Sequence, residues 1–175
     1  MVPRADGPPV CSIAGLVLFG HSPRQKMRHA GVRWMSFPGT DMEYQAQDDS
    51  IIDGPLVGLW TGDHSQPPAE GGLVERLIDR MRPFTATRSE QLDEGVRRLV
   101  GSRFPPEAVR EALLNALVHR DWTRAVEVEV VNYAVRLEII SPGALQNSMT
   151  VEKMLAGQRS ARNPVVMEVM RDYGY

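Results

Sequence analysis

The sequence predicts an α+β protein in which a small N-terminal α/β unit packs on a mostly antiparallel sheet covered by helices. Three observations predict it. Apolar residues recur every three or four positions in two stretches, Leu73 to Met81 and Val109 to Leu117, as one face of a helix requires. Val126, Val128 and Val130 alternate with Glu127, Glu129 and Val131, and Val135, Leu137 and Ile139 alternate again after Asn132-Tyr133, which is the two-residue period of a strand pair. Glycine and proline punctuate the chain often, 15 and 13 in 175 residues, so the elements between them must be short.

Residues 1–11 are rich in Pro and Gly and read as a flexible lead-in. The apolar run Ser12 to Gly20 reads as a buried strand ended by glycine, and Val32, Trp34 and Ser36-Phe37 as a second strand. Arg24, Lys26, Arg28 and His29, between them, read as a solvated basic loop. Gly54-Pro55 marks a turn and Ser65 to Gly72 a surface loop. The helix from Leu73 is expected to stop at Pro83, since proline removes a backbone donor and crowds the preceding turn. Thr85 to Leu99 reads as mixed strand and loop. These features divide the chain into an N-terminal unit, 12–83, and a C-terminal domain, 84–175.

The C-terminal domain carries the clearest element. Pro105-Pro106 can open a helix, Glu107 places negative charge where the helix dipole favours it, and the apolar period runs to Val118. The strand hairpin follows and ends at Ser141-Pro142-Gly143. Thr150 begins a short helix with Glu152-Lys153, and Asn163-Pro164 caps another that runs to about Arg171.

Composition narrows the function classes. With 42% hydrophobic and 24% charged residues, the chain can bury a core and is not disordered as a whole. A net charge of −2 and a pI near 6.1 argue against an electrostatic grip on nucleic acid by this segment alone. A single cysteine, Cys11, excludes an intrachain disulfide, and no spaced Cys/His set suggests zinc, so a reducing, cytoplasmic setting is expected. The apolar run Ile13 to Phe19 falls far short of the roughly 20 residues that span a bilayer, and no membrane segment is expected.

At 100° per residue Glu107, Glu111, Asn115 and His119 form one stripe of the helix at 106–118, opposite Val109, Leu113, Ala116 and Leu117. A solvated face is the simplest reading of such a stripe. The mid-helix asparagine asks for more, because its amide competes for backbone hydrogen bonds and is unfavourable there without a reason. Ser102, His119 and Asp121 do not make a hydrolase triad, since no serine sits on a strand-to-helix elbow.

The segment Phe104 to Trp122, FPPEAVREALLNALVHRDW, resembles the signature helix of the RecG-helicase-like C-terminal domains found in transcriptional regulators. Ala14 to Pro23, Asp53-Gly54-Pro55-Leu56, Ile140 to Leu145 and Ser160 to Pro164 match that family in the expected order. In those proteins a Schlafen-type, Alba-like DNA-binding domain precedes the region that begins near Ser12, so the resemblance makes this chain a fragment that meets DNA through its parent's other domain. The family is in turn similar to the gyrase, Hsp90, histidine-kinase and MutL ATPases, which implies a degenerate histidine-kinase-type ATPase fold. The resemblance implies ATP with Mg²⁺ as cofactor, Asn115 as the magnesium ligand, and Glu111 as the catalytic base if hydrolysis occurs. It also places His119, Gly143 and Arg162 beside the nucleotide.

Two departures from that superfamily stand out. Ser141-Pro142-Gly143 replaces the Asp-x-Gly-x-Gly strand end whose aspartate receives the adenine amino group, and the chain stops at Tyr175 before a second glycine-rich loop. Three functions follow in order of expectation: a nucleotide-sensing module of a prokaryotic transcriptional regulator, a structural or dimerisation module that has lost nucleotide binding, and an ATPase serving DNA transactions. A helicase motor is excluded, for the chain has no phosphate loop of the Walker type and no room for two motor domains.

Overall fold

The computed structural model describes residues 10–58, 71–92, 98–146 and 149–175. Most of the expected lead-in and of the loop from Ser65 to Gly72 therefore lies outside the described residues.

The protein is α+β, with a small mixed sheet flanked by helices. Four strands, β1 (Val32–Ser36), β2 (Asp48–Ile52), β5 (Val128–Asn132) and β6 (Leu137–Ile140), lie in the order β2-β1-β5-β6. β1 pairs antiparallel with β2, β5 antiparallel with β6, and β1 parallel with β5 in the register Val32↔Val128 to Ser36↔Asn132. The N-terminal segment thus enters the sheet as two of its strands instead of packing on it as a separate layer. The parallel pair has no local signal, because its strands meet only after a long crossover. β3 (Ala86–Leu92) and β4 (Arg98–Ser102) form a separate antiparallel ribbon within that crossover.

Side-chain alternation explains the layers. Val32, Trp34, Val128 and Val130 face a core built with α1 (Ile13–Phe19), α2 (Leu73–Thr85), α3 (Pro106–Val118) and α5 (Pro164–Asp172). These helices contribute Val17 and Leu18, Leu73 and Leu77, Leu113 and Leu117, and Val166 and Met170. On the opposite face Met35, Phe37, Val131 and Tyr133 make a second cluster, with Phe37 and Tyr133 stacked at 5.7 Å. Alternation in a hairpin ordinarily means one buried face, but β5 lies in the middle of the sheet and has apolar residues covered on both of its faces.

The run after Ser12 is a helix, correcting the strand expected there. Ser12 caps α1 by accepting from Gly15 N at 3.1 Å, and Leu56 N takes the Val17 carbonyl near the other end at 2.8 Å. An apolar run of this length has no period that separates strand from buried helix, so the cap decides. Pro83 does not end α2, which continues to Thr85. It sits in the last turn, where few residues remain for its ring to disturb, and the Thr85 hydroxyl donates to the Met81 carbonyl at 3.2 Å. Gly54, at φ +147, makes the expected turn and leaves room for Arg76, whose guanidinium a Cβ would meet at 3.0 Å. A short helix, α4 (Val151–Leu155), follows the predicted cap at Thr150. No described helix is long and apolar enough to cross a membrane.

Candidate functional site

Helix α3 spans the expected residues and is clamped at both ends. Near its start, Arg110 donates to Glu75 Oε1 of α2 at 2.9 Å and lies over the Tyr175 ring, whose hydroxyl donates to Glu75 Oε2. In the middle, Leu113 and Leu117 are each 1% exposed and anchor the helix on the sheet.

At its C-terminal end the last carbonyls need donors, as at any helix end. Ser141 Oγ donates to Ala116 O at 2.7 Å, and Asn163 Nδ2 donates to Val118 O and Arg120 O, both at 2.7 Å. Asp121 N reaches Pro142 O at 2.9 Å. The segments 141–145 and 161–164, far apart in sequence, are thereby knit to the end of α3. Asn163 occupies the N-cap position of α5 but makes no side-chain bond to its own helix, which corrects the expectation that it caps α5. Its amide is drawn away by the orphan carbonyls of α3.

The polar stripe behaves as its geometry dictates. Glu107, Glu111, Asn115 and His119 are all exposed, and Asn115 Nδ2 donates to Glu111 Oε1 at 2.9 Å across one helical turn. His119 forms the C-cap, its backbone N–H bonded to Asn115 O. Gly143 and Arg162 stand together beyond the helix end, around a residue the sequence reading did not select. Arg162 Nη1 approaches Asp121 Oδ2 at 3.4 Å, and its Nη2 donates to Ala144 O at 2.6 Å. Gly143 has φ +126, and a Cβ there would lie 2.9 Å from Asp121 Cβ, so both backbone and space demand glycine. No side-chain hydrogen bond or ion pair among the described residues joins the Glu111–Asn115 pair to the Gly143–Arg162 group.

Asp121 is held below the usual carboxylate range by the Thr123 hydroxyl and backbone N–H, with Arg162 and Arg124 adding to the effect. Arg120 is fully buried and its guanidinium lies 4.4 Å from the centre of the Trp122 ring. It donates to Val126 O at 2.5 Å and not to the last carbonyls of α3, where a basic residue just after a helix would be expected to offset the negative end. Burial pulls its pKa down to about 10, against the opposing pull of Glu127 and Asp121. A buried arginine in this position has no local sequence signal, since its neighbours His119 and Asp121 are polar.

A cleft of about 420 Å³ opens beside this group. Ile13 and Ala14 of α1, Asp121 to Thr123, and Arg162 to Val166 line it. Glu111, Asn115 and His119 do not. Among the described residues no group of three His, Cys, Asp or Glu side chains is placed to hold a metal ion.

Residues 125–175 match a family model described as "Putative ATP-dependent DNA helicase recG C-terminal". No match was found among curated proteins. Among solved structures, the chain is similar to the DIP2311 protein from Corynebacterium diphtheriae, with a TM-score of 0.62 at 22% identity over 93% of this chain. That similarity is one of fold. The chain spans 29% of the length of that protein.

Proposed function

We propose that this chain is the nucleotide-sensing module of a prokaryotic transcriptional regulator, with Mg·ATP as its ligand and a degenerate histidine-kinase-type ATPase fold as its frame. The observation that carries the reading is the Glu111–Asn115 pair, solvent-accessible and one turn apart on the helix whose end is knit to the two segments at 141–145 and 161–164. The family-model match over 125–175 supports the same direction.

The residues present fit a magnesium ion in a limited way. Asn115 commits its Nδ2 to Glu111, which leaves its Oδ1 turned to solvent as an oxygen donor. Mg²⁺ takes oxygen ligands and keeps several waters or phosphate oxygens, so one amide oxygen suffices as the protein's share. Asn115 would hold the ion, which supplies charge neutralisation at the phosphates. Glu111 orients Asn115 and, if the module hydrolyses ATP, takes a proton from water as the catalytic base. His119, Arg162 and Gly143 enter this reading as phosphate neighbours through the family resemblance. Two features set the module apart from an efficient ATPase: Pro142 removes a backbone donor, and Arg162 is already engaged by Asp121 and Ala144. DNA contact falls to the parent protein's other domain, and pairing of two copies is consistent with a regulator.

The engagement of Arg162 favours a second reading, a structural or dimerisation module without nucleotide binding. Calorimetry decides between them. Mg·ATP is expected to bind weakly, with Kd about 1 mM or somewhat tighter, and the heat is expected to vanish when magnesium is withheld or in Asn115→Ala. No heat in the wild-type chain, with a native amide spectrum, makes the structural module the function.

A further inference from the structure

The cleft between α1 and the start of α5 shares Arg162 with the nucleotide reading but has, in Trp122, the apolar residues of α1 and the first turn of α5, a chemistry that reading does not use. Four buried side-chain nitrogens among the described residues have no hydrogen-bond partner, and three of them, Arg120 Nε, Arg120 Nη1 and Trp122 Nε1, belong to the stacked pair at this cleft's wall. Arg120 forms no ion pair with a described carboxylate: Glu127 is taken by Arg24 at 3.0 Å and Asp121 by Arg162. A desolvated positive charge therefore lies beneath the wall with no direct ion pair, offset only through space by Glu127 and Asp121.

The start of α5 adds donors at the surface of the same cleft. A helix leaves its first N–H groups without intrahelical partners, and the Asn163 side chain, whose Nδ2 is held by the α3 carbonyls, makes no capping bond to them. Val165 and Val166, in that first turn, line the cleft. Arg162 joins them, held by Asp121 at 3.4 Å, longer than the 2.7–2.9 Å usual for a charge-assisted bond. Asp121 keeps both bonds to Thr123 if Arg162 turns to a new partner. Ile13, Ala14, Trp122 and Pro164 make its apolar walls, and Asp121, Thr123 and Asn163 are its other polar ones, the Asp121 carboxylate being held by Thr123 and Arg162.

We propose that this cleft binds a small organic anion with an apolar body, its acidic head on Arg162 and the first N–H groups of α5 and its body against Trp122 and Ile13. The site would serve a regulator as an effector pocket, and it stands whether or not Asn115 holds a metal.

Two-dimensional NMR of the 15N-labelled chain tests this with benzoate, phenyl phosphate, inorganic phosphate and benzamide as probes. Benzoate and phenyl phosphate are expected to shift the Val165 and Val166 amides and the Trp122 indole signal saturably, and their relative affinity tells a carboxylate site from a phosphate site. Benzamide, which lacks the charge, and inorganic phosphate, which lacks the body, are expected to bind at least about tenfold more weakly. Arg162→Gln is expected to cost about tenfold or more in affinity. Ile13→Phe, at a half-exposed position that tolerates bulk, fills the mouth of the cleft and is expected to block the probes even if Arg162→Gln does not fold. Retention of benzoate binding in Asn115→Ala separates this site from the magnesium site. Absence of saturable shifts at about 10 mM probe, shifts confined to other residues, or unchanged binding in Ile13→Phe overturns the proposal.

Discussion

Asn163 donates its side-chain amide to the carbonyl of Val118 at 2.7 Å, and this bond, with its twin to Arg120 O, fastens α5 to the end of α3. Asn163→Ala leaves two carbonyls without donors and is expected to cost about 2–4 kcal/mol in urea unfolding. Asn163→Asp should cost more, since a carboxylate placed on two carbonyl oxygens repels both.

Glu111 and Asn115 touch little besides each other, so their replacement tests binding without disturbing the fold. Glu111→Gln and Asn115→Ala are each expected to shift stability by no more than about 0.5 kcal/mol. A larger loss in thermal unfolding would show that the pair holds structure.

Leu113 is buried under α3 on the sheet, and Leu113→Ala is expected to cost about 2–5 kcal/mol by emptying that space. Arg120→Met makes the opposite case. It gives up the bond to Val126 O but also removes a desolvated charge, so it is expected to stay within about 1 kcal/mol of the wild type. Chemical denaturation of the two variants side by side checks the contrast.

The alkaline range separates a half-buried tyrosine from a buried arginine whose effects oppose each other. Burial, reinforced by Glu75 against the Gly58 N–H, pushes Tyr175 up to about 12. The folded chain then keeps a proton that the unfolded chain loses, so this contribution is full below pH about 10 and falls as pH rises towards about 12. Arg120, pulled down to about 10, gives up its proton when folded and retains it when unfolded, so its contribution rises with pH over the same range. Tyr175→Phe is expected to uncover the rise and Arg120→Met the fall, read as the slope of unfolding free energy against pH.

The elements legible in the sequence were those whose signal is local. α3 follows its proline start and apolar period from Pro106 to Val118, and the β5–β6 hairpin follows its alternation. The run at Ile13 to Phe19 has no discriminating period, and only the bond from Gly15 N to Ser12 settles it as a helix. Spacing puts Glu111 and Asn115 one helical turn apart, as the bond between them bears out, but only the resemblance singled out that pair and Arg162. That Asp121 and Trp122 line a cleft escaped notice because their neighbours there, from α1 and from residues 162–166, come from distant segments. The burial of Arg120 escaped for the same reason, since what covers it is not near it in the chain.

The parallel pairing of β1 with β5 sets an order of events during synthesis. When Val32 to Ser36 leave the ribosome, only β2 is at hand to pair with them, and the other edge of β1 stays open until Val128 to Asn132 arrive. Loop closure over that distance is slow, and until it happens Trp34 and its neighbours lack the strand that will complete their side of the sheet. A nascent chain stalled before Val128 therefore carries an unpaired apolar strand edge, the kind of template that recruits other chains. For this protein the vulnerable interval lies in the making of the sheet, and a chaperone that holds the first half until the second emerges would act there.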